Sequence, residues 1–147
     1  MWYNKFMIWI LRSPLHGMLD KSTLLVTVSG RKSGRQITTP VNYVRDGDTL
    51  WVTSTRQRAW WRNLRGGAPL TVRLGGVEYR AAGEALESES AVADGLRLYF
   101  KIAPQVARYF QVQLDASGQP LEVDLARTAQ SRVAIRIDLQ GPKPNDL

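Results

Sequence analysis

Six short runs of β-branched and apolar residues, joined mostly by turns too tight for anything but a hairpin, constrain this chain more than any other feature. The runs are 22–29 (STLLVTVS), 36–45 (QITTPVNYVR), 49–55 (TLWVTST), 69–74 (PLTVRL), 77–86 (VEYRAAGEAL) and 132–139 (RVAIRIDL). Asp46-Gly47-Asp48 and Gly75-Gly76 read as hairpin turns, because glycine reaches the positive φ that a short connection needs. Pro40 marks an edge position or a bulge in the second run, since it has no N–H for a ladder. The spacing predicts a first helix over 1–20 and a short helix over 58–67 ended by Gly66 and Gly67. It also predicts helical structure from Ser88 to about Val112, broken by Pro104, and a third segment over 121–130. A chain of 147 residues has little material with which to protect sheet edges, and closure removes them. The expected class is α+β: a small closed or split antiparallel barrel of six strands with flanking helices. It forms one domain over 1–147, with a tail at 140–147.

Composition removes several chemistries. There is no cysteine, so disulfides, thiolate metal sites and cysteine nucleophiles are excluded. His16 is the only histidine and reads as a helix-end residue, so neither a metal site nor a serine–histidine relay is expected. The formal charge of +7 favours an anionic partner: nucleic acid, anionic lipid, or a phosphorylated or polycarboxylate small molecule. The cations gather at turns rather than along a stripe, and no RNA-binding or helix-turn-helix signature appears, which argues against nucleic acid.

Trp2, Phe6, Trp9 and Ile10 share one face of the first helix, with Lys5 and Arg12 near its edge. That face suits a hydrophobic core or a dimer partner, and contact with a membrane surface is the other reading. The apolar run Phe6–Leu11 is far short of the ~20 residues that span a bilayer, and no signal-peptide cleavage site follows it. The expected location is the cytoplasm, with membrane association through the first helix as the alternative.

Two stretches carry the chemistry. Gly30-Arg31-Lys32-Ser33-Gly34 lacks the spacing of a Walker A loop. Its glycines let the backbone approach a ligand, its N–H groups can form an anion-binding concavity, and Arg31, Lys32 and Ser33 add a fork, a point charge and a hydroxyl. A solvated hairpin tip is the competing reading. The second stretch, 54–64 (STRQRAWWRNL), brings Arg56 and Arg58 to the start of the expected short helix, where anions bind. Trp60, Trp61 and Asn63 follow with flat apolar surface and an amide. That combination suits a planar heterocycle with an anionic tail, and one of the two tryptophans is expected in the core.

In order along the chain stand L-x-T-x-x-G-R-K-S-G from Leu25, T-T-P at 38–40, the D-G-D turn, and W-x-x-N-L from Trp60. With these motifs the sequence resembles the deazaflavin (F-420)-dependent nitroreductase family of the flavin/deazaflavin oxidoreductases. The likeness runs from about Ser13 to Leu86 and more loosely to Leu139. It implies the split β-barrel of pyridoxamine-phosphate-oxidase-like proteins and a homodimer. The implied activity is hydride transfer from reduced coenzyme F-420 to a quinone-like, nitro or other activated unsaturated small-molecule acceptor. Carried over by position, Arg31, Lys32, Ser33 and Gly34 would hold the cofactor phosphate. Thr38, Thr39 and Pro40 would line the cofactor strand, faced by Val52, Thr53 and Ser54. Arg56, Arg58, Trp60 and Asn63 would complete the cofactor site, and Asn42 and Tyr109 would meet the substrate. FMN is the alternative cofactor, and a non-catalytic binder of FMN, heme or an apolar ligand is the alternative function. A cofactor that performs the redox step leaves the protein to bind, orient and exclude water, so the missing nucleophiles and metal ligands are no objection.

Overall fold

The computed structural model describes residues 23–142. The expected first helix, with His16, and residues 143–147 lie outside the described residues. All six strands form: β1 (Thr23–Ser29), β2 (Gln36–Asp46), β3 (Thr49–Thr55), β4 (Ala68–Leu74), β5 (Val77–Leu86) and β6 (Arg132–Pro142). They close into an antiparallel barrel in the order β1-β2-β3-β6-β5-β4. The tail expected from residue 140 is shorter than read, because β6 continues far enough to pair Gly141 with Arg80 and Pro142 with Tyr79.

Alternation sends Leu24, Val26 and Val28 of β1, Leu50 and Val52 of β3, and Val133, Ile135 and Ile137 of β6 into the barrel, all at most 1% exposed. Each such aliphatic side chain stabilises the fold by about 1.5–3 kcal/mol when buried. Trp61 and Leu64 join that core. They come from a 3₁₀ segment, Trp60–Leu64, which replaces the longer helix expected over 58–67. Its first residue has no side-chain cap, and Gly66 and Gly67 at φ 75° and 87° end it. A single tight turn of this kind satisfies few backbone groups and stays short. The anion site expected at a helix start therefore does not arise.

A second core lies outside the barrel. Ser88 caps α1 (Glu89–Ile102), its Oγ accepting from the Ala91 N–H at 3.2 Å. Val92, Leu96, Tyr99 and Phe100 of α1 are buried together with Leu125 and Ala129 of α2 (Glu122–Ser131). Pro104 stops α1, as expected, and a 3₁₀ segment follows over Pro104–Phe110. Gly95 is buried where α1 meets β6. A Cβ there would stand 3.0 Å from the Ala134 Cβ and 3.4 Å from the Trp51 ring. Among the described residues no helix is long and apolar enough to cross a membrane.

One strand changes partners. β2 pairs with β1 from Gln36 to Asn42 but with β3 only from Tyr43 to Asp46. Beyond Asn42 on one side and Val52 on the other, the two strands part and leave a wedge. Pro40 lies in that stretch, so the edge reading of this proline is correct, and no bulge interrupts its pairing with Leu25.

Gly95→Val would push α1 off the sheet. We expect a loss of about 1–3 kcal/mol in urea unfolding, the usual cost of overpacking, with unchanged stability refuting the close approach.

Candidate active site

The wedge is the mouth of a cavity of about 290 Å³, close to the lower bound for small-ligand sites, about 300 Å³. Pro40, Val41 and Asn42 wall it from β2, and Thr53, Ser54 and Thr55 from β3. Arg58 and Trp60 contribute from the segment after β3, Tyr99 from α1, Phe110 from the second 3₁₀ segment and Arg132 from the head of β6. Asn42, Tyr99 and Phe110 also line a larger neighbouring groove of about 650 Å³, which continues over Val44, Ile102, Val106 and Tyr109. The two spaces thus share a wall.

Among the described residues, the cleft's two arginines have no carboxylate partner. Arg58 Nη2 donates to Thr39 Oγ1 at 3.2 Å, while Arg132 donates from Nε and Nη2 to Thr53 Oγ1 at 3.1 and 3.0 Å. Neither meets a carboxylate among the described residues, although Arg65, Arg97, Arg127 and Arg136 all do. No acid is among the described residues that line the cleft. Burial draws the Arg132 pKa down from the ordinary arginine value, against the opposing pull of Tyr99, but a guanidinium keeps its proton. Burial pushes the Tyr99 phenol up, and the charge of Arg132 works against it.

Both tryptophans are buried, but they differ in use. Trp61 is core, its indole N–H donating to the Thr55 carbonyl at 3.1 Å. Trp60 lines the cleft, while its Nε1 is buried and has no acceptor among the described residues. A buried N–H left unpaired costs about 1–3 kcal/mol.

The basic turn is built tightly. Gly30 N–H donates to Arg35 O at 2.7 Å and Gly34 N–H to Gly30 O at 2.9 Å. Arg31 N–H donates to Asn63 Oδ1 at 3.0 Å, and Arg35 N–H to Ser33 Oγ at 3.2 Å. The N–H groups of Lys32 and Ser33, with the exposed side chains of Lys32 and Arg35 and the rest of the Arg31 guanidinium, remain for an anion. Only Gly34 of the two turn glycines has positive φ, at 70°. Gly30 is crowded instead, since a Cβ would lie 2.9 Å from Ser33 Oγ and 3.3 Å from the Arg35 carbonyl oxygen.

Several expected residues stand elsewhere than the sequence placed them. Val52 is fully buried inside the barrel and cannot face a ligand. Arg56 turns to the end of α2, donating to the carbonyls of Gln130, Ala129 and Glu87 at 3.0, 3.1 and 2.7 Å, and so acts as a helix clamp. Asn63 holds the turn and donates back to Trp60 O at 3.0 Å, which makes it a positioning residue. Arg31 reaches Arg62 O at 3.4 Å. Thr38 shares a hydrogen bond with Thr27 at 2.9 Å, on β2 between turn and cleft, and Thr39 is buried under Arg58. Tyr109 is 72% exposed and belongs to the groove rather than the cleft. Sequence reasoning missed Tyr99, Phe110 and Arg132. The only sequence signal for Arg132 is a cation heading an apolar strand, in alternation opposite to Val133 and Ile135.

Residues 12–127 match the model of the F-420H(2)-dependent quinone reductase family. The chain belongs to that family. It is accordingly an oxidoreductase with a deazaflavin as hydride donor, which agrees with the motif resemblance. No curated protein matches the sequence. Among solved structures, a pyridoxamine 5'-phosphate oxidase candidate from Listeria innocua is 15% identical with a TM-score of 0.55, covering 90% of this chain and 96% of that one. An F-420-H2-dependent reductase is 16% identical with a TM-score of 0.52, covering 81% and 96%. A protein described as a domain-swapped dimer is 15% identical with a TM-score of 0.51, covering 90% and 98%. These likenesses establish the split-barrel fold.

Arg56→Ala should separate scaffold from site in this reductase family member. We expect a loss of about 1–3 kcal/mol, measured by urea unfolding, because charged hydrogen bonds to carbonyls are removed. Cofactor affinity at temperatures where the variant is folded should stay within about twofold; a selective affinity loss would return Arg56 to the site.

Proposed function

We propose that the wedge between β2 and β3 receives the planar ring of coenzyme F-420 and that the 30–35 turn grips its phosphate. The observation that carries this is the wedge itself. Parted strands leave a cleft lined by Pro40, Thr53 and Trp60. The residues present fit such a group: a planar ring finds the Trp60 and Tyr99 surfaces, and an anionic ligand finds Arg58 with no competing acid. From Arg35 to Pro40 the strand extends about 16 Å at its usual rise per residue, with Thr38 between, a path for a charged tail. Lys32, Ser33 and Arg35 would meet the phosphate, while Arg31 and Asn63 hold the turn in place.

Bound there in its reduced form, the deazaflavin supplies the hydride. The chain's residues bind, orient and shield: Pro40 and Trp60 exclude water from the ring, and Thr53, Ser54 and Asn42 offer polar atoms at its edge. The groove along Val44, Ile102 and Val106 is apolar and would take a quinone-like acceptor, with Asn42 at its entrance and Tyr109 on its rim. One domain over 1–147, assembled as a homodimer in the cytoplasm, completes the reading. Its support is the family membership and the likeness to a domain-swapped dimer.

Titration of the protein with F-420 and, in parallel, FMN, followed by tryptophan fluorescence, tests the cofactor. We expect micromolar F-420 binding and weaker FMN binding. Lys32→Ala should weaken F-420 about tenfold, the value of a charge-assisted contact, with less effect at high salt. FMN binding alone would change the cofactor. If neither binds, the turn reverts to a solvated hairpin tip.

A further inference from the structure

Arg132 lines the cleft but is not part of the phosphate grip at the 30–35 turn, and it meets no carboxylate among the described residues. It heads β6 and is half-buried. Its Nε and Nη2 both donate to Thr53 Oγ1, and its guanidinium lies 4.8 Å from the Phe110 ring centroid. These contacts fix the fork while Nη1 meets no acceptor among the described residues. A guanidinium withdrawn from water without a carboxylate is destabilising unless a polar or anionic group meets its free edge.

Its position says which group that is. Arg132 lines the cleft, and Phe110 beneath it is part of the wall that cleft and groove share. Arg132 does not line the groove itself, but it also lines a further space of about 550 Å³ that shares Tyr109 and Phe110 with the groove. An acceptor reaching from the groove past Phe110 toward a ring in the cleft would therefore meet this charge. Reduction of a quinone by hydride transfer adds two electrons and one hydrogen to the acceptor and oxidises the donor. One acceptor oxygen is then anionic until a proton from solvent completes the hydroquinone. A donor fixed in advance where that charge develops stabilises the transition state.

We propose that Arg132 binds the acceptor oxygen on which negative charge accumulates, with Thr53 and Phe110 as positioning residues for its fork. The inference rests on the reductase reading above. It makes Arg132 a determinant of acceptor choice, favouring planar acceptors whose conjugated oxygen can carry charge over apolar molecules of the same shape.

The test is quenching of tryptophan fluorescence in the full chain, for the wild type, Arg132→Gln and Arg132→Lys, each checked by thermal melting. The probes are the 2-hydroxy-1,4-naphthoquinone anion, neutral 1,4-naphthoquinone, and a deazariboflavin that lacks the phosphate tail. Arg132→Gln should lose about tenfold or more in affinity for the anionic quinone, in line with a charged hydrogen bond. Its affinity for neutral naphthoquinone should stay within about threefold, and any loss for the deazariboflavin should be smaller than that for the anionic quinone. Arg132→Lys should fall between, because it keeps the charge but not the fork; it also carries the comparison should Arg132→Gln fail to fold. Equal losses for both quinones would reduce Arg132 to a packing role and overturn the proposal. A loss confined to the deazariboflavin, or no binding of the anionic quinone by the wild type, would overturn it as well. Failure of F-420 itself to bind the wild type refutes the reductase reading, whereas an anion preference independent of Arg132 refutes this inference alone.

Discussion

Strand β2 serves two neighbours that it cannot serve at the same residues. Over Gln36–Asn42 it is bound to β1, and over Tyr43–Asp46 to β3. Of the possible β2–β3 ladder only the half next to the hairpin forms, and the rest is given up. Everything functional follows from that loss. The wedge exposes Pro40, Asn42 and Thr53, the 3₁₀ segment slides Trp60 under it, and α1 with its following turn roofs it with Tyr99 and Phe110. A proline is tolerated at 40 for the same reason, since the strand has no β3 partner there.

Charge is segregated to match. On the outer surface arginines pair with acids: Arg65 with Glu87 at 3.0 Å, Arg97 with Glu122 at 2.9 Å, and Arg136 with Glu84 at 3.2 Å. Such exposed pairs add little stability, but they neutralise the surface. In the cleft and the 30–35 turn the cations meet no acid among the described residues, which places positive charge where an anionic cofactor and a developing negative charge would be.

The strands and helices were legible because alternation and turn chemistry are local. Thr23–Ser29 and Thr49–Thr55 alternate cleanly, Asp46-Gly47-Asp48 turns, Ser88 caps and Pro104 stops. The short helix at 58–67 was overread because its two tryptophans are placed by the barrel core rather than by helical propensity. The motif residues pointed to the right region, yet not to their tasks. Arg56 and Arg58 look alike in the sequence. One clamps the carbonyl end of α2, 73 and 74 residues away in the chain, and the other lines the cleft.

By itself the sequence determined the barrel class, the hairpins, the basic turn and the family, because these depend on periodicity and on residues within a few positions of one another. Only the tertiary structure decided which side chains share the cleft. Arg132 meets Thr53 at a separation of 79 residues, through the register that sets Thr55 opposite Arg132 and Thr53 opposite Ala134. Val52 and Thr53 are likewise neighbours in sequence with opposite fates, one inside the barrel and one beneath a guanidinium. A strand sends successive side chains to opposite faces, and which face holds the ligand is settled by what packs against it.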